Sequence, residues 1–389
     1  PTRRSSDLIY SLGLFMGIGG SVLYSSEKGR RENGGYNEFF STALLGTAAL
    51  AAIAWTGIVF FGEPLLRLFG AEQTLLPLTK AYLFPIKIVI PVFVFNQMLA
   101  AFLRNDNAPG LATAAVLGGG IFNVFGDYFF VFAMDMGILG AGLATAAGAC
   151  ITLLIMLTHF FSKHCTLKFV SIHYLFIKVK GILTTGFSTF FVDLAVGIMT
   201  MLFNRQIVRY LGTDALSVYG LIVNISMFVQ CCAYSVGQAT QPIFSINYGA
   251  EHWGRMKETL KYALGTVAFF GIFWTTLVVL VPNGFVRIFM KPTEAVLQIA
   301  PSIMRCYGIS FLLLPLNIFS TYYFQSLMKP AASFVVSVGR GLVISGALIM
   351  LLPTVAKADF IWFSMPVTEI VIAVFVIYMM VRYTKRLAK

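Results

Sequence analysis

Charged residues are scarce in this chain. Only 11% of its 389 residues are Asp, Glu, Lys or Arg, whereas 58% are hydrophobic and the mean hydropathy is +0.82. Soluble globular domains carry about 25% charged residues, so this composition argues against a soluble enzyme or binding domain. It predicts an all-α polytopic membrane protein, because a helix satisfies its backbone hydrogen bonds within one segment.

Cysteine and histidine are also rare, and their spacing is not that of a reactive site. The five cysteines show neither metal-ligand spacing nor a disulfide framework, and no two of the four histidines have zinc spacing. A glycine-rich phosphate loop is missing, which disfavours an ATP-driven pump. Because no cluster of His, Ser or carboxylate groups typical of a membrane-embedded enzyme is visible, we expect no catalytic residue and no cofactor.

Basic residues nevertheless outnumber acidic ones, and the formal net charge is +12. They lie in short connectors between apolar runs and form no single patch, which argues against nucleic acid as a partner. Every second connector carries more basic residues than the connectors between. By the positive-inside rule the connectors of this more basic set are cytoplasmic, together with the C-terminus. The protein is predicted to be a multi-pass protein of the cell (plasma or inner) membrane. The more basic set comprises Lys28, Arg30, Arg31, Arg104, Lys163, Lys168, Lys178, Lys180, Arg255, Lys257, Lys329, Arg382, Lys385, Arg386 and Lys389.

Eleven apolar runs are long enough to cross a membrane, for which a helix needs about 20 mostly apolar residues. Segment 162–180, which follows the fifth run, mixes basic and apolar residues and is predicted to be a cytoplasmic amphipathic linker on the membrane surface. The runs are 9–26, 38–62, 76–103, 109–133, 137–161, 181–210, 213–246, 258–281, 295–327, 330–353 and 359–382.

The chain also repeats itself at an offset of about 220 residues. Residues 17–44 align without a gap with 237–264, and glycines coincide at three positions of the alignment. This internal duplication predicts two six-helix bundles, of which the first lacks its first helix and the start of its second. The predicted parts are a non-native tail (1–8), an N-terminal lobe with helices 2–6 and a shortened helix 2 (9–161), the linker (162–180) and a C-terminal lobe with helices 7–12 (181–389).

Three acids lie well inside apolar spans: Asp127, Asp193 and Glu369. A charge at mid-bilayer costs about 2.5–3.5 kcal/mol on insertion scales, so each acid requires a reason. The alternatives are a structural hydrogen bond or ion pair, with Arg305 as a partner for Glu369 or Asp193, and a proton or cation site. The residues that we expect to line a substrate cleft are Asp193, Glu369, Gln241, Gln238, Asn224 and Arg305.

Asp127 has the most suggestive neighbours. Asn123 precedes it by four residues and therefore shares its helix face, and Ala141 and Thr145 have the same spacing on the next helix. Small residues around Ala141 would let the two helices approach closely. A carboxylate, an amide oxygen, a hydroxyl and a backbone carbonyl suit a hard cation. The pattern predicts a cation-coupling site for a proton, or for Na⁺ at Asp127, Asn123 and Thr145.

Two stretches of sequence resemble a known transporter family. AFLRNDNAPGLATAAVLGGGIFNVFGDYFFVFAMDMGILGAGLAT (101–145) is similar to the helix 4–6 region of the multidrug and toxic compound extrusion (MATE) family, and YGLIVNISMFVQCCAYSVGQATQPIFSINYGA (219–250) to its helix 8 and the following loop. The resemblance extends from about residue 9 to the end. It implies two six-helix bundles forming a V around a central cleft, and export driven by Na⁺ or H⁺ entry.

The resemblance also assigns roles to particular residues. Asn123 and Asp127 match the family's N-lobe cation-site residues, and Ala141 and Thr145 match its helix-6 contributors. The family's further Asp on helix 1 has no position here, and Asp193 takes the corresponding place in the second half. Helix 295–327 departs from some Na⁺-coupled relatives because it carries Arg305 and no acid.

The predicted function is therefore secondary active antiport. Amphipathic or cationic drugs or metabolites would leave by alternating access in exchange for Na⁺ or H⁺, through a monomer whose other partners are membrane lipids. The alternatives are a lipid or polysaccharide-precursor flippase of the same superfamily, or a non-functional partial chain.

Overall fold

The computed structural model describes residues 2–30, 35–68 and 76–386, and their regular structure is entirely helical. It includes two π-helical turns, Tyr128–Ala133 and Gly339–Val343, which directly follow the α-helices that end at Asp127 and Val338. The α-helices are α1 (Thr2–Arg30), α2 (Tyr36–Leu68), α3 (Leu76–Asn105), α4 (Pro109–Asp127), α5 (Gly137–Leu157), α6 (Leu175–Tyr210), α7 (Gly212–Gly249), α8 (Trp253–Leu280), α9 (Pro282–Phe289), α10 (Glu294–Gly308), α11 (Leu314–Ser326), α12 (Pro330–Val338), α13 (Ile344–Val355) and α14 (Ser364–Arg386).

Ten helices of the described part are long and apolar enough to cross a membrane. They coincide within a few residues with ten of the eleven predicted spans, which confirms the all-α polytopic class. The remaining predicted span, 9–26, lies within α1, whose side chains are described from Tyr10 onward. Large apolar side chains such as Phe132 and Val355 face outward, at 74% and 83% exposure, as a hydrocarbon solvent requires.

The chain divides into two compact units, Pro1–Asp193 and Leu194–Lys389. In the first unit α3 packs against α1, α2 and α5, and α4 packs against α5. Helix α3 occupies the centre because its apolar residues, among them Ile90, Val94 and Met98, are completely buried. The predicted linker 162–180 forms a non-helical connector as far as residue 174, and α6 begins within it at Leu175.

In the second unit α11 occupies the centre. It packs against α7, α8, α12 and α14, and every residue of Leu314–Ser326 except Leu316 is buried. Its small and polar side chains, such as Asn317 and Ser320, allow neighbouring helices to approach and hydrogen-bond across the interface.

The internal duplication is visible as a repeated contact. In the first unit Asn96 Nδ2 donates to the carbonyl of Ala149 at 2.9 Å. In the second unit Asn317 Nδ2 donates to the carbonyl of Glu369, also at 2.9 Å. The two donors are 221 residues apart in the sequence and the two acceptors 220, so one helix–helix contact occurs once in each half.

Helices α4 and α5 approach most closely where glycines face each other. A Cβ added to Gly119 would clash with Thr152 Oγ1, and it would come within 2.6 Å of the Gly148 carbonyl. Gly148 in turn lies against the Gly119 carbonyl. This backbone contact holds the two helices that carry the predicted cation-site residues at a fixed separation.

Replacing Gly119 with Ala should therefore destabilise the protein by about 1–3 kcal/mol, the usual cost of overpacking. The matched control is Gly120→Ala, because nothing lies within 4 Å of a Cβ at Gly120 and alanine favours helix by about 1 kcal/mol over glycine. Thermal melting of the purified protein in detergent measures the difference. Equal melting temperatures for the two variants would show that the contact at Gly119 is not tight.

Candidate functional site

The predicted site residues of the first unit lie on the facing sides of α4 and α5. Asn123 Nδ2 donates to Thr145 Oγ1 at 3.2 Å, and Thr145 Oγ1 donates to the Ala141 carbonyl at 3.0 Å. Tyr82 of α3 brings its hydroxyl within 3.5 Å of Thr145 Oγ1. Asn123, Thr145 and Ala141, which the sequence spacing placed on two separate helices, thus form one chain of hydrogen bonds.

Asp127 is the last residue of α4 and directly precedes the π turn Tyr128–Ala133. Its side chain is partly buried, and its Oδ1 is buried without a hydrogen-bond partner. None of the ion pairs among the described residues involves it. Such π turns within α-helices occur frequently at functional sites, and a buried carboxylate oxygen without a partner is costly unless it binds a proton or a cation.

The chemistry of these oxygens suits a hard cation. Asn123 uses its amide nitrogen on Thr145, which leaves its amide oxygen as an acceptor. A carboxylate, an amide oxygen, a hydroxyl and a carbonyl are the donor types that hard metal ions prefer. The same carboxylate also suits a proton, so these donor groups are chemically compatible with either Na⁺ or H⁺.

In the second unit, Glu369 is fully buried and forms a buried ion pair. Arg340 Nε donates to Glu369 Oε1 at 2.8 Å, and Asn317 Nδ2 donates to Oε2 at 2.6 Å. The prediction that Arg305 is the partner of Glu369 is wrong. Arg305 is exposed and donates from Nε to the Val279 carbonyl at 3.2 Å.

The other predicted cleft residues are spread over two long helices. Asp193 is partly buried in the middle of α6. On α7, Asn224 is exposed, Gln238 is partly buried and Gln241 is buried, with an unpartnered Nε2. Their role in binding a substrate stays a prediction.

A buried acid that the sequence patterns did not single out is Asp106, in the connector between α3 and α4. It is fully buried and accepts hydrogen bonds from Lys28 Nζ (2.9 Å), Tyr24 Oη (3.0 Å), the Thr166 backbone N–H (2.8 Å) and Thr166 Oγ1. Nε2 of His159 lies 2.9 Å from its second oxygen. We call these five residues the Asp106 cluster.

The Asp106 cluster attaches the non-helical connector 162–174 to the helices of the first unit. Burial by itself would raise the pKa of Asp106, but hydrogen bonds from Thr166, His159 and Lys28 outweigh it and lower the pKa to about 2. The connector is further held by Asn37 of α2, which donates to the Thr166 carbonyl at 3.1 Å and accepts from the Lys168 N–H at 3.0 Å.

The Asp106 cluster also approaches the geometry of a metal site. Ligand atoms of Asp106, His159 and Cys165 all lie within 4.8 Å of one another. The ammonium group of Lys28, however, already supplies a positive charge to the carboxylate, and several further donors satisfy its oxygens. We therefore interpret the cluster as a structural hydrogen-bond centre.

Comparison with protein families shows to which family the chain belongs. A family model described as MatE matches residues 3–129 and 188–349, which is well over half of the chain. The chain belongs to the MATE family. It is therefore a multi-pass membrane protein of a transporter family.

Curated MATE relatives are distant but cover most of the chain. Multidrug export protein MepA of Staphylococcus saprophyticus subsp. saprophyticus is 23% identical over 371 residues, which is 94% of this chain and 81% of that protein. Multidrug export protein MepA of Staphylococcus aureus is 21% identical over 360 residues, with 91% and 78% coverage.

Solved MATE structures share the fold. An outward-facing multidrug resistance MATE family transporter of the MOP superfamily has a TM-score of 0.90 at 18% identity, over 98% of this chain and 86% of that one. A MOP superfamily transporter from Pyrococcus furiosus has a TM-score of 0.87 at 19% identity, with 98% and 86% coverage. The predicted MATE-like helical architecture is thereby confirmed.

Asp106→Asn should weaken the first unit of this MATE protein and release its connector. Because the pKa of Asp106 falls from its ordinary 3.8 to about 2, the ionised form contributes about 2 kcal/mol of stability above pH 4. That contribution disappears as the pH falls from about 4 to 2. Thermal melting against pH, with trypsin cleavage at Lys163 and Lys168, measures both effects.

The matched control for this experiment is Asp135→Asn. Asp135 is exposed and has a φ of 49°, a conformation that asparagine tolerates. Wild-type-like melting and trypsin resistance of Asp106→Asn at pH 7 would contradict the structural role of the cluster.

Proposed function

We propose that this MATE protein is a secondary antiporter that exports amphipathic, often cationic, small molecules in exchange for Na⁺ or H⁺. The observation that carries the proposal is the unpartnered, buried Oδ1 of Asp127, one helical turn after Asn123, whose amide nitrogen donates to Thr145 Oγ1. Export of drugs is supported by the names of the MepA relatives, which are multidrug export proteins.

The free energy of ion binding comes from the burial of the Asp127 carboxylate. This carboxylate has no described basic partner, and a buried carboxylate oxygen without a hydrogen-bond donor is costly. Binding of a proton or of Na⁺ offsets that cost. Ion binding therefore stabilises the conformation whose oxygen ligands bind the ion most tightly. An ion shifts a conformational equilibrium only through such a difference in affinity between the conformations.

The direction of ion entry follows from the orientation of α4. The connectors rich in basic residues, including the one before Pro109, lie in the cytoplasm by the positive-inside rule, as does the C-terminus. Asp127 follows Pro109 by eighteen residues, which is about 27 Å along a helix. In a hydrocarbon core about 30 Å thick, Asp127 then lies near the outer side of the cell membrane, where it takes up the ion.

Exchange requires that the ion and the exported compound favour different conformations. We place the change at the α4–α5 pair, because the π turn after Asp127 interrupts the regular hydrogen bonds of α4. Ion binding at Asp127 and Asn123 draws these helices into one arrangement and lowers the affinity for the exported compound. The protein acts as a monomer embedded in lipid, and its chemistry is transport and not catalysis.

Asp127→Asn should abolish ion-coupled export. Asparagine keeps the size of the side chain but removes the charge, so the ion no longer stabilises one conformation and coupling falls by about tenfold or more. Resistance of a drug-sensitive host, and efflux of a fluorescent cation driven by an imposed Na⁺ or pH gradient, are the measurements. Asp135→Asn, eight residues further along the chain, is the matched control. Intact gradient-driven efflux in Asp127→Asn would refute the mechanism.

Thr145→Val distinguishes the two ions. Valine has nearly the shape of threonine but removes the hydroxyl that lies between Asn123 and Ala141. If Na⁺ is the coupling ion, the Na⁺ concentration for half-maximal efflux should rise by about tenfold, since one hard oxygen ligand is lost. The pH dependence should change little. An unchanged Na⁺ requirement would exclude Thr145 as a ligand.

A further inference from the structure

Asp127 in the first half and Glu369 in the second half differ in whether a basic side chain is paired with them. The repeated contact that Asn96 makes with Ala149 and Asn317 makes with Glu369 places Glu369 where the first half has an alanine. At the same offset of 220–221 residues, Arg340 falls where the first half has Gly119 or Gly120. The second half thus has an acid and a base at two contacting positions where the first half has an alanine and a glycine.

Arg340 and Glu369 form a buried ion pair. Arg340 is 8% exposed and Glu369 is 0% exposed. One carboxylate oxygen accepts from the guanidinium of Arg340 at 2.8 Å, and the other accepts from the amide of Asn317 at 2.6 Å. Both oxygens of Glu369 therefore have a donor, in contrast to the unpartnered Oδ1 of Asp127.

The corresponding position in the first half leaves no room for such a base. Gly119 has no side chain, and the space that a Cβ would take is filled by Thr152 and the backbone of Gly148. In turn, the positions of the second half that correspond to Asp127 are Ala347 and Leu348. Of Asp127 and Glu369, only Glu369 therefore comes with a cation supplied by the protein itself.

We propose that the guanidinium of Arg340 is a tethered replacement for a coupling cation, so that Glu369 takes no part in ion exchange. The inference rests on the proposed ion-coupled export. It predicts that the coupling ion binds to acids other than Glu369. A mobile Na⁺ or proton would have to displace a guanidinium that is held by a covalent chain. It would also leave that guanidinium buried without a counter-ion, which is strongly unfavourable.

The proposal predicts that removing Arg340 creates a cation site. In Arg340→Met, Glu369 remains buried without its tethered cation and has to take up Na⁺ or a proton instead. The melting temperature should then rise with Na⁺ concentration, or with falling pH, by about 5 °C between no ion and a hundredfold excess over the dissociation constant. Wild-type Glu369 should contribute no such dependence.

The experiment is done in an Asp127→Asn background, where the site of the first half is silent, and with choline in place of Na⁺ as the reference. Arg340→Lys keeps a tethered cation and should behave as the parent. Arg340→Met combined with Glu369→Gln removes both charges and should show no more dependence of melting on Na⁺ and pH than the parent. Because binding is read from melting, the result stands apart from the transport assay that tests the role of Asp127.

Two results would overturn the proposal. One is a folded Arg340→Met variant whose melting responds to Na⁺ and pH no more than that of its parent. The other is an Arg340→Met variant that stays unfolded at every Na⁺ concentration and pH at which the doubly neutral variant is folded, since Glu369 then accepts no mobile cation.

Discussion

A carboxylate inside a bilayer has to be neutralised, and the arrangement of both halves of this protein follows from that requirement. Where hydrocarbon excludes water, the protein itself has to supply a counter-charge or leave a place for one. Glu369 receives the counter-charge from Arg340. Asp127 keeps an oxygen without a partner, one helical turn after Asn123, whose amide is hydrogen-bonded to the Thr145 hydroxyl. The first arrangement is a structural ion pair, and the second is the place that we propose for an ion.

Close helix packing makes the second arrangement possible. Lipid provides no hydrophobic force between helices, so small residues and interhelical hydrogen bonds determine which helices meet. Gly119 and Gly148 bring the backbones of α4 and α5 into contact. With that separation fixed, Asn123 reaches Thr145 across the interface. The same logic operates at α11, where Asn317 contacts both the backbone and the side chain of Glu369.

The Asp106 cluster follows the same electrostatic rule at a helix end. A fully buried carboxylate outside the spans is satisfied by donors from α1, from the end of α5 and from the connector. Its low pKa means that the charged form is retained under all physiological conditions. The connector between α5 and α6 is therefore attached to the first unit by a permanent charge.

Composition and hydropathy determined the membrane class, ten of the spans and the duplication, because each depends on runs of residues that are contiguous in the chain. The contact of Asn123 with Thr145 also followed from spacing, since both lie on consecutive helices that have to be neighbours. The partner of Glu369 could not be predicted from the spacing of residues in the sequence. Arg305 and Arg340 both occupy apolar spans, and only the rotation of each helix about its axis decides that Arg340 faces Glu369. The Asp106 cluster was invisible for the same reason, because its partners lie 53, 60 and 78 residues away and meet only after the helices have packed.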